Sequence, residues 1–425
     1  MESRFHERVL RAAIDRGLLG DETPLAAFVV TTAVEETVDH LQRAFPPHFE
    51  HMFAAKANTM RRALELVRAC GMGCEVASPG ELEQAIRAGF ETRRIVVDEP
   101  AKTPATLRRV LELGVDLNID SFQEFDRVRA MADRIEPRSS IGFRINPQVG
   151  AGRIDAMSTG SSSSKFGVGL EDPGNRDALT ACYRDHPWLS AVHVHVGSQG
   201  CSLDLMADGI AKTAALAEEI NDTLGRRQVD MIDIGGGLPV NFDSEAVTPT
   251  FAEYAALLRE RVPVLFDGAY RVRTEFGRAI YAKNGFIASR IEYTKQSGGR
   301  QIAIGHAGVQ VATRTVFMPE HWSIRISGHD GAGRRKTGPD VTQDVAGPCC
   351  FAGDLAGRAV EMPLLEPGDY VVLHDTGAYY FSNPFFYNAL AAPPVYGARL
   401  EGDGLVQFDC WRRMQSMENM LAVIG

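Results

Sequence analysis

The sequence predicts an α/β protein: a (β/α)8 TIM barrel over residues 24–285 joined to a mostly β C-terminal domain over residues 286–425, with a helix and turn over residues 1–23 in front. Three observations carry this. Eight short apolar or β-branched runs alternate with helical patterns through the first two thirds of the chain. Residue types able to do chemistry stand directly after those runs, where a barrel keeps its functional loops. From about residue 286 the alternation gives way to β-like segments separated by glycine-rich turns. The 425 residues also exceed what one ordinary core organises, and a barrel takes about 250 of them.

Taken in order, Glu7 to Leu19 reads as a short helix with Val9, Leu10, Ala13 and Ile14 apolar, and Gly20-Asp21 as a turn. Thr23-Pro24 introduces the apolar segment Leu25 to Val30, followed by an amphipathic helix through Val38, Leu41 and Ala44. The eight runs are Met52–Ala55, Cys74–Ala77, Ile95–Asp98, Leu117–Asp120, Gly142–Ile145, Ala191–Val196, Met231–Ile234 and Tyr270–Thr274. Helical patterns separate them, among them Met60–Cys70, Glu81–Ala88, Pro104–Leu113, Phe122–Ala132, Leu203–Thr223 and Phe251–Val262. Ser78-Pro79-Gly80-Glu81 and Ser121-Phe-Gln-Glu124 have the spacing of helix caps directly after strands, so these residues fix loops rather than react. Residues 150–165, with Ser161-Ser-Ser-Ser164, form a small, polar loop expected to be mobile. In the second domain, Ile302–Ile304, Val309–Ala312, Ser323–Ile326 and Tyr370–Leu373 read as β segments.

Composition narrows the class of function. A hydrophobic share of 44% and a charged share of 24% are those of a soluble globular protein. A formal charge of −10 without any Lys/Arg-rich run argues against a nucleic-acid partner. The opening Met1-Glu-Ser-Arg-Phe-His-Glu-Arg lacks the apolar centre of a signal peptide, and no stretch reaches the roughly 18 apolar residues that span a bilayer, so a cytoplasmic protein without a membrane partner is expected. Seven cysteines (Cys70, Cys74, Cys182, Cys201, Cys349, Cys350 and Cys410) at irregular spacing suit reduced thiols.

The strand ends carry the chemistry. The first ends in Lys56, within Phe53-Ala-Ala-Lys-Ala-Asn58; a lysine so placed is commonly one that snorkels to solvent, and only the other strand ends change that reading. The sixth ends in His193-Val-His195-Val-Gly-Ser198, the seventh in Asp233-Ile-Gly235-Gly236-Gly237 and the eighth in Glu275-Phe-Gly277-Arg278. Three glycines in a row make a tight turn or a backbone cradle for a phosphate. The loops after strands seven and eight are where barrels bind phosphates, which favours the cradle. A carboxylate at the position of Glu275 is costly to bury without a cationic partner, and a pyridinium nitrogen is one. His193 and His195 share a strand face and would suit a metal pair, but the other strand ends do not supply the further ligands expected of a metal-dependent barrel, and no metal is expected.

These stretches, with Cys74-Glu-Val-Ala-Ser-Pro-Gly-Glu-Leu82, His193-Val-His-Val-Gly-Ser-Gln199, Gly347-Pro-Cys-Cys350, Asp354 and Gly377-Ala-Tyr379, resemble the fold-type III pyridoxal 5'-phosphate (PLP) decarboxylases, in particular the diaminopimelate and ornithine decarboxylases. The likeness keeps the family's order over nearly the whole chain. It implies a homodimer with shared active sites. Lys56 would carry PLP on its amine, His195 would stack on the ring and Glu275 would hold the pyridine nitrogen. Ser198, Gly235, Gly236, Gly237, Gly277, Arg278 and Tyr379 would surround the phosphate, with Arg278 and Tyr379 also bordering the substrate. Cys350 from the partner would protonate the substrate carbon, and Lys165 would pair with Asp354 across the interface. The same fold also leaves an amino-acid racemase and a catalytically silent PLP-binding homologue as alternatives, with Lys56, Glu275 and Cys350 together favouring the decarboxylase.

The departures from the family bear on the substrate. The diaminopimelate enzymes use an arginine, a tyrosine four residues later and an acid after the catalytic cysteine to hold the far end of the substrate; here those positions are Arg314, Met318 and Phe351. A phenyl ring cannot pair with an ammonium group, and removing the partner of a buried cation costs on the order of 3 kcal/mol. The resemblance therefore implies an amino acid or amino-acid conjugate without a free distal amine, carrier-linked substrates of siderophore or antibiotic synthesis included. Diaminopimelate decarboxylase proper is the alternative.

Overall fold

The computed structural model describes residues 2–402 and 404–425. The chain divides into two compact units: residues 37–240 with 248–279, and residues 1–36 with 241–247 and 280–425.

The first unit is a closed barrel of eight parallel strands, Phe49–Ala54, Gly73–Val76, Ile95–Val97, Asp116–Ile119, Ile141–Asn146, Leu189–Val194, Met231–Asp233 and Arg271–Phe276. Each pairs with its neighbours in chain order, and the eighth returns to the first in the register Glu275 to Met52 and Phe276 to Phe53. Helices Arg61–Ala69, Pro79–Arg87, Pro104–Leu113, Phe122–Ala132, Asn175–Asp185, Leu203–Leu224 and Phe251–Arg261 join successive strands. All eight expected strands are present. Their runs are near-continuously apolar because barrel strands are covered on both faces, so the charged residues within them stand out.

The caps work as the sequence suggests, with one difference. Ser78 Oγ accepts from the Glu81 N–H at 3.1 Å and Ser121 Oγ from the Glu124 N–H at 3.2 Å. The two glutamates, however, reach back one residue further, to the N–H groups of Ala77 (2.7 Å) and Asp120 (3.2 Å), and so tie each cap to the end of its strand. The loop over residues 150–165 is anchored as well: Val149 N–H donates to Gly160 O, and the Asn146 amide to Ser161 O, at 3.0 and 2.9 Å.

The second unit is built on a mixed sheet in the order Leu355–Pro363, Asp340–Ala346, Arg300–Gly305, Gly285–Ser297, Leu25–Val30, Val395–Leu400 and Val406–Arg412, with Tyr370–Leu373 and Ile326–His329 attached to it. This corrects the expected boundary. Leu25–Val30 lies here rather than in the barrel, antiparallel to Gly285–Ser297 and parallel to Val395–Leu400. All six of its residues are buried, and an apolar run covered on both faces carries no mark of the sheet it joins. The N-terminal helix spans Glu2–Asp15 and belongs to this unit, where Val9, Leu10 and Ala13 pack against Phe28, Phe286 and Val372. Val309–Ala312 is helix, not strand: it opens Val309–Phe317, with Ala312 held off helical geometry at φ −128° and ψ 42°. Four alternating residues are too few to separate the two periods. The strand expected at Ser323–Ile326 instead runs Ile326–His329. None of the described helices is long and apolar enough to cross a membrane.

Candidate active site

The first barrel strand ends in a single 3-10 turn, Ala55–Ala57, which carries Lys56. Its amine lies 2.8 Å from Glu75 Oε2, at the end of the second strand; the lysine side chain keeps 41% of its exposure while Glu75 is wholly buried. Burial raises the Glu75 pKa, with Lys56 pulling against it. An amine held between a buried acid and an open space is placed to react with something entering from that space.

Across the mouth stand Asp98, Arg144, His193 and Glu275, from the third, fifth, sixth and eighth strands. Arg144 Nη1 is 2.6 Å from Asp98 Oδ2, and His193 Nε2 is 3.3 Å from Glu275 Oε2. Burial acts to raise the Asp98 pKa, but Arg144, His193 and Lys56 outweigh it and hold the acid ionised. At Glu275 the pull of Lys56 and Arg144 is outweighed: burial, followed by repulsion from Glu75 and Asp98, pushes it up to about 8. Its Oε1 is buried without a hydrogen-bond partner. Ligand atoms of Asp98, His193 and Glu275 all lie within 4.8 Å of one another, the composition of a metal trio, although Arg144 already supplies a cation to Asp98.

The glycine run after the seventh strand is built into the same end. Gly235 adopts φ +66°, and a Cβ there would lie 2.5 Å from Val194 O; at Gly236 it would lie 2.0 Å from Glu275 O. No side chain fits, so bare backbone N–H groups form this edge. Gly235 N–H donates to Asp233 Oδ1 at 3.0 Å and Gly236 N–H to His195 Nδ1 at 3.2 Å. Burial, then Lys56, lowers the His195 pKa well below its usual value, so its ring is neutral. Arg278 Nη2 lies 3.5 Å from Ser198 Oγ. Gly277 faces the lysine turn, where a Cβ would come within 2.9 Å of Ala57 Cβ. The structure thus brings Lys56, His195, Ser198, Gly235, Gly236, Gly237, Glu275, Gly277 and Arg278 to one end of one barrel.

The remaining expected residues, Lys165 excepted, lie in the second unit. Cys349 is buried and pushed up to about 12 by burial and by Asp354, whereas Cys350 is exposed, its N–H donating to Asn388 Oδ1 at 2.8 Å. Phe351 stacks on Phe317 (5.7 Å, 18° between planes) and meets Tyr387 edge-on at 5.3 Å. Arg314 lies between two rings, 4.4 Å from Tyr379 and 4.9 Å from Trp322, with Nη1 buried and unpartnered. Met318 is 38% exposed. Asp354 is buried and accepts from the N–H groups of Val309 (2.6 Å) and Cys349 (2.7 Å), so its neighbours within this chain are backbone donors. Lys165 is exposed in the barrel unit, its amine 4.8 Å from the Phe166 ring.

Sequence reasoning assigned no role to Glu75, Asp98 or Arg144. Each is a charged residue inside or closing a buried apolar run, and that was the available signal. The residues of the barrel end fit PLP: an amine, a glycine edge for a phosphate, and a buried acid whose free oxygen calls for a protonated ring nitrogen.

Residues 31–282 match the family model of the pyridoxal-dependent decarboxylase, pyridoxal binding domain. The chain is 31% identical over 340 residues to the diaminopimelate decarboxylase of Pseudomonas fluorescens, covering 79% of this chain and 78% of that one. It is 29% identical over 362 residues to the enzyme of that name from Bacteroides thetaiotaomicron, covering 82% and 88%. In fold it is similar to the diaminopimelate decarboxylase of Helicobacter pylori crystallised with L-lysine, with a TM-score of 0.81 at 24% identity, over 94% of this chain and 96% of that one. The chain belongs to the pyridoxal-dependent decarboxylases and is a PLP-dependent amino-acid carboxy-lyase.

Proposed function

We propose that the enzyme removes the α-carboxylate of an amino acid, or of an amino-acid conjugate, that has no free distal amine. The observation that carries this is Phe351. The residue after Cys350 is aromatic, stacked on Phe317 and met edge-on by Tyr387, so this position offers no anion to an ammonium group. Arg314, aligned between Tyr379 and Trp322 with a buried donor to spare, suits a distal carboxylate or comparable anion.

Bound PLP supplies the electron sink for the pair left when the carboxylate departs. Lys56 holds the cofactor at its amine, and Glu75 at 2.8 Å keeps that amine in place. Glu275, oriented by His193, would accept a hydrogen bond from the protonated ring nitrogen and keep the proton there, its carboxylate form being favoured once that cation faces it. The neutral His195 ring, fixed by Gly236 N–H, would pack on the cofactor without adding charge. Gly235 to Gly237, Ser198, Gly277 and Arg278 would hold the phosphate. Cys350, contributed across a homodimer, delivers a proton to the substrate carbon; of the adjacent thiols it is the exposed one, while Cys349 is kept protonated by burial. Lys165 and Asp354 are proposed as a contact between subunits.

Mass-spectrometric screening of the purified holoenzyme against free and conjugated amino acids, watching for loss of CO2, tests the reading. The expected result is turnover of acidic or conjugated substrates well above that of meso-diaminopimelate. Turnover of meso-diaminopimelate matching that of the best other substrate would sink it and favour the second reading, a diaminopimelate decarboxylase, which the retained Arg314 and the names of the relatives support. The double substitution Phe351→Glu with Met318→Tyr should raise meso-diaminopimelate turnover by about tenfold or more relative to wild type.

A further inference from the structure

The N-terminal end of the barrel contains a cavity of about 560 Å³, within the range of small-ligand sites, lined by Arg93, Arg94, Arg138, Arg271 and Arg273 with Glu50, Asp116, Ser139 and Ser140. Five guanidiniums and two carboxylates line it, and Glu91, Asp230 and Asp233 reach three of the guanidiniums from beyond the lining, in a chain whose net charge is −10. The lining converges from the first strand, the approaches to the third and fifth, and the starts of the fourth and eighth.

Conservation of fold at this end of a barrel ordinarily needs no more than ion pairs. Part of the cluster is of that kind: Arg273 is 2% exposed and bonded to Asp116, and Arg271 Nη2 lies 3.0 Å from Ser140 Oγ and 3.3 Å from Asp230. Arg93 likewise pairs with Glu91 at 2.6 Å, and Arg94 donates to Gly71 O at 2.6 Å. What remains is Arg273 Nε and Ser139 Oγ, buried with no hydrogen-bond partner, and the exposed Arg138, which makes no side-chain hydrogen bond or ion pair among the described residues. Gathering like charges and leaving buried donors unmet costs stability, and an anion in the cavity removes both costs.

We propose that this cavity is a second ligand site, for a compact oxyanion bearing two or more negative charges, such as a phosphate ester or a polycarboxylate. Five guanidinium groups favour planar or tetrahedral oxygen clusters through paired N–H donors. The site lies at the opposite end of the strands from Lys56 and uses none of its residues.

Calorimetric titration of the PLP-loaded full chain with inorganic pyrophosphate and, separately, with citrate tests the proposal and distinguishes the two sources of such a ligand. At least one probe should bind once per chain, and Arg138→Glu should weaken that binding by about tenfold or more. Lys295→Glu, the same charge change on an exposed strand of the other unit, should leave it unchanged. Decarboxylation should be unaffected in both variants. Binding of neither probe, or equal weakening in the two variants, overturns the site.

Discussion

The eighth barrel strand sets Arg271, Arg273 and Glu275 at alternate positions, and the two ends of the barrel interior differ in sign along it. At the C-terminal end the buried acids Glu75, Asp98 and Glu275 stand with Lys56, Arg144 and Arg278; at the N-terminal end five guanidiniums line a cavity with Glu50 and Asp116. Asp233 stands between, with Arg273 Nη1 at 3.8 Å and the Gly235 N–H at 3.0 Å. One scaffold thus keeps a cluster of buried acids and a cluster of guanidiniums apart by about the length of a strand. The ligands proposed for them differ in sign accordingly: a protonated ring nitrogen beside Glu275 at one end and an oxyanion at the other.

The comparison breaks most completely at Lys56. Lys56→Ala should leave no PLP trapped on the chain by borohydride and no CO2 release above background, with the fold kept, because the lysine is partly exposed and its loss frees Glu75 to protonate. Mass spectrometry of the reduced protein and a CO2 assay read both. Next in size is Arg273→Met. Unlike Arg138, Arg273 is paired, and its removal strands Asp116, Asp233 and part of Glu50 in the interior. A loss of about 3–5 kcal/mol is expected, measured as the urea midpoint of the barrel unit.

How much of this was legible follows from the same contrast. The eight strands and the Lys56, His195 and Glu275 positions could be read because each sits at the end of an apolar run. Cys350, Arg314 and Phe351 became meaningful only through the family resemblance, since no local period marks them. Leu25–Val30 was misassigned because a strand buried on both faces looks alike in any sheet. The arginine cavity was invisible: its residues come in short groups separated by tens of positions, and no long basic run announces them. Glu75 and Arg144 carry no local signal beyond being charges inside buried strands.

Glu275→Gln tests the cluster of buried acids with opposite signs in the two states of the enzyme. In the holoenzyme, losing the charge opposite the ring nitrogen should lower kcat by about 10²–10³-fold. In the apoenzyme the folded pKa of about 8 lies above the usual 4.5, so the stability linked to Glu275 is fully present below about pH 4.5 and is lost as pH rises through about 8. The apoenzyme should therefore melt progressively lower from pH 5 to pH 8. PLP should offset the fall, and Glu275→Gln should flatten it. A Tm gap between apo and holo wild type that does not widen with pH would show that no cation meets this acid.

The smallest expected effect separates residues that shape the C-terminal end from those that charge it. Ser78 caps Pro79–Arg87 by accepting the Glu81 N–H, while Glu81 holds Ala77 at the end of the second strand, next to Glu75. Ser78→Ala removes one of these two restraints and should cost about 1 kcal/mol in the urea midpoint of the holoenzyme. Glu81 still pins the strand end, so Glu75 should keep its place beside Lys56, and neither PLP affinity nor kcat should move by more than about twofold. A larger fall in kcat than in stability would mean that the cap positions the Lys56–Glu75 pair, and that the division between shaping and charging residues at this end is wrong.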